Sequence, residues 1–258
     1  MDGMRTSGTR SRPGARRAAP AACAATAVLS LLIAGCGSGG GTGRADTSSR
    51  PRQAASAPPS SPGADSRRIP GVGDRLHSEI PASARQVVAV YGEGEDSEDA
   101  TVVLYTRHGG TWTRGHRWPA HNGRRGWTPD HRENDKRSPI GVFTLSDAGG
   151  VLPDPGTKLP YTRSAAFAAP RHWPERYRHD FDYVIAIDYN RVRGTPPNDP
   201  TRPRGQEKGG GIWLHMDHGS GTSGCVSLSR SGMEHLLRTL DPAQHPVVVM
   251  GDRESLAS

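Results

Sequence analysis

"GIWLHMDHGSGTSGCVSLS", residues 211–229, reads as a strand, a turn and a second strand. Strand side chains alternate between faces, so Ile212, Leu214 and Met216 share one face and Trp213, His215 and Asp217 the other. The first set suits an apolar core. The second puts an imidazole on a cleft side, next to a large aromatic. The intervening HGSGTSG (218–224) is a Gly/Ser/Thr turn that can bring the chain back beside the histidine strand. That return places the Cys225 thiol and the His215 imidazole on neighbouring strands.

Further strands are predicted on both sides of this unit. QVVAVYG (86–92), ATVVLYTR (100–107), TWTRGHRW (111–118), GVFTLS (141–146), DYVIAIDYN (182–190) and PVVVMGD (246–252) are β-branched or aromatic runs bounded by turn formers. His108-Gly109-Gly110 joins two of them as a hairpin. One helix is expected: Met233, Leu236, Leu237 and Leu240 recur at helical spacing behind a Ser231/Glu234 capping pair, and Asp241-Pro242 ends it. It follows the Cys225 strand and should pack on the sheet. Two long connections, 147–181 and 191–210, are candidate lids or binding loops, and the second reads as mobile. The fold class is therefore mostly β, a mainly antiparallel and nearly closed sheet with one helix in the C-terminal region.

The N-terminal part is different in kind. Residues 1–20 carry five arginines against one acid, and residues 21–34 are mostly Ala, Val, Leu and Ile. This is the pattern of an export signal, and the apolar run is too short for a membrane span. IAGC (33–36) resembles the lipobox of bacterial lipoproteins, which implies a signal peptide over 1–35 and a lipid on Cys36. Residues 37–68 lack Val, Ile, Leu, Met and aromatics, so 36–68 reads as a flexible, lipid-anchored tether of roughly 30 Å span. The folded domain is expected over 69–251, with 252–258 as a tail.

Losing residues 1–35 removes five positive charges and one negative, which brings the formal charge from +7 to near +3. Nucleic-acid binding then has little electrostatic support. Cys23 leaves with the leader and Cys36 is taken by lipid, so Cys225 is a lone thiol in an exported chain. Disulfide pairing is the common fate there, which makes a reactive thiol a live reading beside a buried structural one.

A cysteine nucleophile needs a base to take its proton and donors for the tetrahedral oxyanion. His215 can serve as the base. The N–H groups of Ser223, Gly224 and Cys225 can serve as the donors. The group that orients His215 is open among Asp217, Ser223, Asp188 and a backbone carbonyl. The rival use of His215, Asp217, His218 and Cys225 is a zinc site, but no HExxH or CxxC accompanies them. No metal or cofactor is expected. His116, His121, His131, His172, His179, His235 and His245 lie among polar neighbours and read as surface or loop residues.

Residues 211–229, NDKRSPIGVFTLSDAGG (134–150), DYVIAIDYN and LLRTLDPAQHPVVVM together resemble the L,D-transpeptidase catalytic domain (YkuD-like) family, over about 85–251. The likeness is to the branch with a short His-to-Cys loop. It implies a β-sandwich or partly closed barrel. It also implies a Cys225 nucleophile, a His215 base, a thioester intermediate and peptidoglycan stem peptides as substrate. Gly224 and Ser223 would form the oxyanion and positioning turn, with Trp213, Asp217 and Thr222 as groove or orienting residues. The chain departs from the pattern in two places: Ser223 replaces a histidine before Gly-Cys, and Ser227 replaces an arginine two residues after the cysteine. Transfer to water would make the enzyme an L,D-carboxypeptidase. A tethered peptidoglycan-binding protein without turnover is the alternative from another class. The expected setting is the outer face of the cytoplasmic membrane, as a monomer anchored through Cys36.

Overall fold

The computed structural model describes residues 66–258. The signal peptide over 1–35, the Cys36 lipid site and all but the last three residues of the 36–68 tether lie outside the described residues. Twelve strands run in chain order as β1 (Gln86–Gly92), β2 (Asp99–His108), β3 (Thr111–His121), β4 (Trp127–Thr128), β5 (Ser138–Pro139) and β6 (Gly141–Thr144). They continue as β7 (Ala148–Gly150), β8 (Tyr161–Arg163), β9 (Val184–Ala186), β10 (Trp213–Met216), β11 (Val226–Leu228) and β12 (Val247–Asp252). Three helices join them: α1 (Asp74–Glu79), α2 (Arg230–Thr239) and α3 (Arg253–Ala257).

Ten strands form one sheet in the order β6-β12-β1-β2-β3-β11-β10-β9-β7-β8, while β4 and β5 pair separately. The sheet is mainly antiparallel, as expected, with β1/β12, β10/β11 and β7/β8 as its parallel pairs. The two-residue turn Gly109-Gly110 closes the β2–β3 hairpin with φ of 55° and 91°, the left-handed geometry that matches strand twist.

Central strands are covered on both faces, which explains their unbroken apolar runs. On β1, Val88 and Val90 face one apolar cluster and Val87 and Ala89 the other. The larger cluster draws Val102, Leu104 and Met250 from one half of the strand order and Ile185, Leu214 and Leu228 from the other half. The sheet therefore folds over a common interior. Helix α2 closes that interior with Met233, Leu236, Leu237 and Leu240, each fully buried and each contributing about 1.5–3 kcal/mol of burial.

The cap of α2 differs from the expectation. Ser229, not Ser231, caps it, accepting from Gly232 N. Glu234 instead pairs with Arg230 and Arg238 on the exposed side. The segment 252–258 is not a free tail: it forms the end of β12 and α3, Asp252 caps that helix, and Leu256 is buried in the smaller cluster. Gly73 N donates to Leu256 O at 2.7 Å, tying the first helix of the domain to its last.

Candidate active site

Strand β10 lies between β9 and β11, a protected position in the sheet. His215, in its middle, is 3% exposed. Its Nδ1 lies 2.8 Å from Met216 O. A carbonyl only accepts, so Nδ1 carries the hydrogen and Nε2 presents a lone pair. Burial pushes the His215 pKa below its usual value, against an opposing pull from the Asp180 charge. The imidazole is thus neutral at pH 7, the form a base requires.

Cys225 directly precedes β11, where Val226 pairs with Leu214. Its Sγ accepts from Trp213 N at 3.4 Å and donates to Gly211 O at 3.5 Å. Burial pushes the thiol up to about 12; the Trp213 N–H counters in part and the Asp180 charge adds to the rise. The residue itself is half-buried and lines a cavity of about 390 Å³ together with His215. No hydrogen bond joins Sγ to His215 among the described residues. A protonated thiol thus sits on a carbonyl in the same cavity as a neutral imidazole.

The turn before Cys225 is held from below. Thr222, 4% exposed, donates through Oγ1 to Cys225 O at 2.6 Å and accepts from Gly224 N at 3.1 Å. The Gly224 N–H is therefore occupied and cannot serve an oxyanion. The N–H groups of Ser223 and Cys225 have no protein acceptor among the described residues. Gly224 has φ of 138°, and a Cβ there would lie 3.0 Å from Arg137 O, so only glycine fits without displacement. Ser138, fully buried, bridges Gly123 N at 2.9 Å and Gly224 O at 2.7 Å. The RSPIG stretch thus acts as a buttress beneath the cysteine turn.

Other site candidates lie elsewhere. Asp217 does not orient His215. It accepts from Ser227 Oγ at 2.8 Å, meets His121 Nδ1 at 2.8 Å and receives Gly219 N at 3.1 Å. Burial opposes its ionisation, but these bonds hold its pKa below the usual range. Asp188 is engaged by Thr144, Ser146 and Arg191. The Met216 carbonyl is what fixes the imidazole. The Trp213 ring turns toward Phe167 and Phe181, and its Nε1 donates to Pro197 O at 3.1 Å, so its backbone rather than its side chain meets the thiol. Ser227, fully buried, is turned onto Asp217. His131 is not a surface residue: it is 4% exposed and sits 3.0 Å from Asp135.

The cavity wall comes largely from 147–181, which supplies Trp173, Tyr177, Asp180 and Phe181, with Arg124 and His218 completing the rim. Asp180 is 4% exposed, and its carbonyl receives Met216 N at 2.9 Å. Sequence reading passed over Asp180 because its contact with β10 spans 36 residues and depends on which strands pair. Its place just before an apolar run, in RHDFDYV, was the available signal. Among the described residues no three His, Cys, Asp or Glu side chains converge to hold a metal ion.

The family model for the L,D-transpeptidase catalytic domain (YkuD) matches residues 96–249. Two solved structures are similar: Bd1075 of Bdellovibrio bacteriovorus, 16% identical with a TM-score of 0.36, and Pgp2 of Campylobacter jejuni, a helical cell shape determining protein, 18% identical with a TM-score of 0.37. The matches cover 65% and 72% of this chain, and 48% and 57% of those proteins, so the chain spans about half of their length. No curated protein matches it.

Proposed function

Since the chain belongs to the YkuD L,D-transpeptidase catalytic-domain family, we propose that Cys225 and His215 carry out acyl transfer on peptidoglycan stem peptides. The observation that supports this most is their position on one cavity, with a neutral imidazole whose Nε2 is free. The thiol must first leave the Gly211 carbonyl and turn toward His215. His215 Nε2 then takes the sulfur proton as sulfur bonds to the scissile carbonyl carbon. The Ser223 and Cys225 N–H groups receive the oxyanion. Collapse breaks the C–N bond, and the imidazolium returns its proton to the departing amine of the terminal D-amino acid. A thioester remains. An amine from a second stem completes a transpeptidation; water completes an L,D-carboxypeptidase cycle.

A second reading, peptide binding without turnover, draws on the thiol held on Gly211 O and pushed up to about 12. Intact-mass measurement decides between them. The native protein should gain a covalent adduct with a carbapenem-type acyl donor, Cys225→Ala should gain none while staying folded, and His215→Ala should react about a hundredfold more slowly. No adduct on native protein favours the binding reading. Defined tetrapeptide stems, with and without an amine acceptor, then separate transfer from hydrolysis.

Export and anchoring belong to the same proposal. The lipobox-like IAGC supports a lipidated Cys36 that tethers a monomeric domain to the outer face of the cytoplasmic membrane. Cys36→Ser should release the protein from membranes.

A further inference from the structure

We infer that His218 is the charged hydrogen-bond donor of this cavity, set to receive a carboxylate of the bound peptide. The cavity holds two imidazoles, His215 and His218, stacked with ring centroids 6.4 Å apart and planes 10° apart. Their surroundings give them opposite polarity. His215 Nδ1 is spent on the Met216 carbonyl, so its other nitrogen presents a lone pair. His218 Nδ1 lies 3.0 Å from Asp180 Oδ2, with both side chains 5% exposed or less. A buried carboxylate at ion-pair distance favours a protonated ring. Both ring nitrogens are shut off from bulk water and neither makes a well-aligned hydrogen bond among the described residues; Asp180 and the Gly221 backbone are the acceptors nearest the ring. A buried N–H without an acceptor is costly, and a ligand oxygen would relieve it.

The groups that face His218 pull in both directions. Asp180 reaches it from the segment before β9, Asp217 neighbours it along the chain, and the Tyr177 ring lies 4.6 Å away. The neutral His215 ring stacks on it from β10, and the Arg124 cation on the same cavity opposes a charged ring. Burial works against charge on His218, but the Asp180 carboxylate outweighs it, and the pKa lies above the usual 6.5. Two like groups whose environments separate their pKa values divide the labour of acid and base. His215 is the acceptor and His218 the donor. That the anion is a peptide carboxylate rests on the function proposed above; the positive charge beside the thiol does not.

The test uses the full chain and two alkylating reagents, iodoacetate and iodoacetamide. In both, Cys225 sulfur bonds to the methylene carbon, iodide leaves, and the thiol proton goes to solvent base. The reagents differ in carrying a carboxylate or a neutral amide. In the native protein the iodoacetate-to-iodoacetamide rate ratio should fall about fivefold as pH rises through the His218 pKa, the order expected for one partly screened charge at this range. A second step at lower pH belongs to His215. His218→Gln should abolish the upper step while the iodoacetamide rate holds. Asp180→Asn should move that step to lower pH, because the carboxylate that favours the charged ring is gone. An upper step that persists in His218→Gln, or a native ratio flat across the neutral range, overturns the inference. Neither reagent requires acyl transfer, so failure here is distinct from failure of the proposed reaction.

Discussion

The connections 147–181 and 191–210 look alike as sequence: polar, rich in proline and arginine, and without a long apolar run. They have opposite fates. Residues 191–210 are pinned by buried charge. Arg191, its side chain 3% exposed, reaches Asp147 at 3.0 Å, Ser146 at 3.1 Å and Asp188, and it also holds Thr195 O. Asn190 binds the carbonyls of Gly205 and Gly209 and accepts from Arg204 N. The segment expected to be mobile is instead strapped to the sheet. Residues 147–181 end in edge-on aromatic contacts: Trp173 meets Phe181 at 6.4 Å, Phe181 meets His215 at 5.2 Å, and Tyr177 meets His218 at 4.6 Å. One connection is held by buried charge, and the other walls the cavity with aromatic edges.

Substitutions can break this contrast. Arg191→Ala should have the largest effect, about 3–5 kcal/mol of stability, because it leaves two buried carboxylates unpaired. Thermal unfolding should show a fall on the order of 10 °C, with adduct formation per folded molecule within about twofold of native. A loss of reactivity as large as the loss of stability would mean that the two connections are not separable. Phe181→Ala reverses the pattern: adduct formation about tenfold slower, with a melting shift of only a few degrees. Its pH profile sharpens the point. Burial holds the His215 pKa down, so admitting water raises it toward 6.5, and the acid limb of the rate profile should move to higher pH. Trp173→Ala, at a position 41% exposed, should change stability by less than about 0.5 kcal/mol. It should raise the half-saturating concentration of a stem peptide about twofold to threefold.

The legible parts of this fold were those decided locally. Alternation on WLHM put His215 and Leu214 on opposite faces, and the i, i+3, i+4 pattern found every buried residue of α2 except Gly232. The cap two residues early at Ser229 is an ordinary boundary shift, since SLSRS offers several hydroxyls in a row. DYVIAIDYN was read as one long strand. Only Val184–Ala186 pair as one, because Asp188, Asn190 and Arg191 are drawn into the strap. Asp217 shares a face with His215 by alternation, yet the strand ends at Met216 and the carboxylate swings to Ser227 and His121. Asp180 had only its place before an apolar run to mark it, and its pairing with His218 was beyond reach, because that depends on β9 lying beside β10.

The parked sulfur has a consequence outside catalysis. It is the thiolate, not the thiol, that attacks peroxide or a stray disulfide. Burial pushes the Cys225 thiol up to about 12, so the thiolate is a small minority at neutral pH. Held on the Gly211 carbonyl, the half-buried sulfur should therefore oxidise slowly for as long as it stays there.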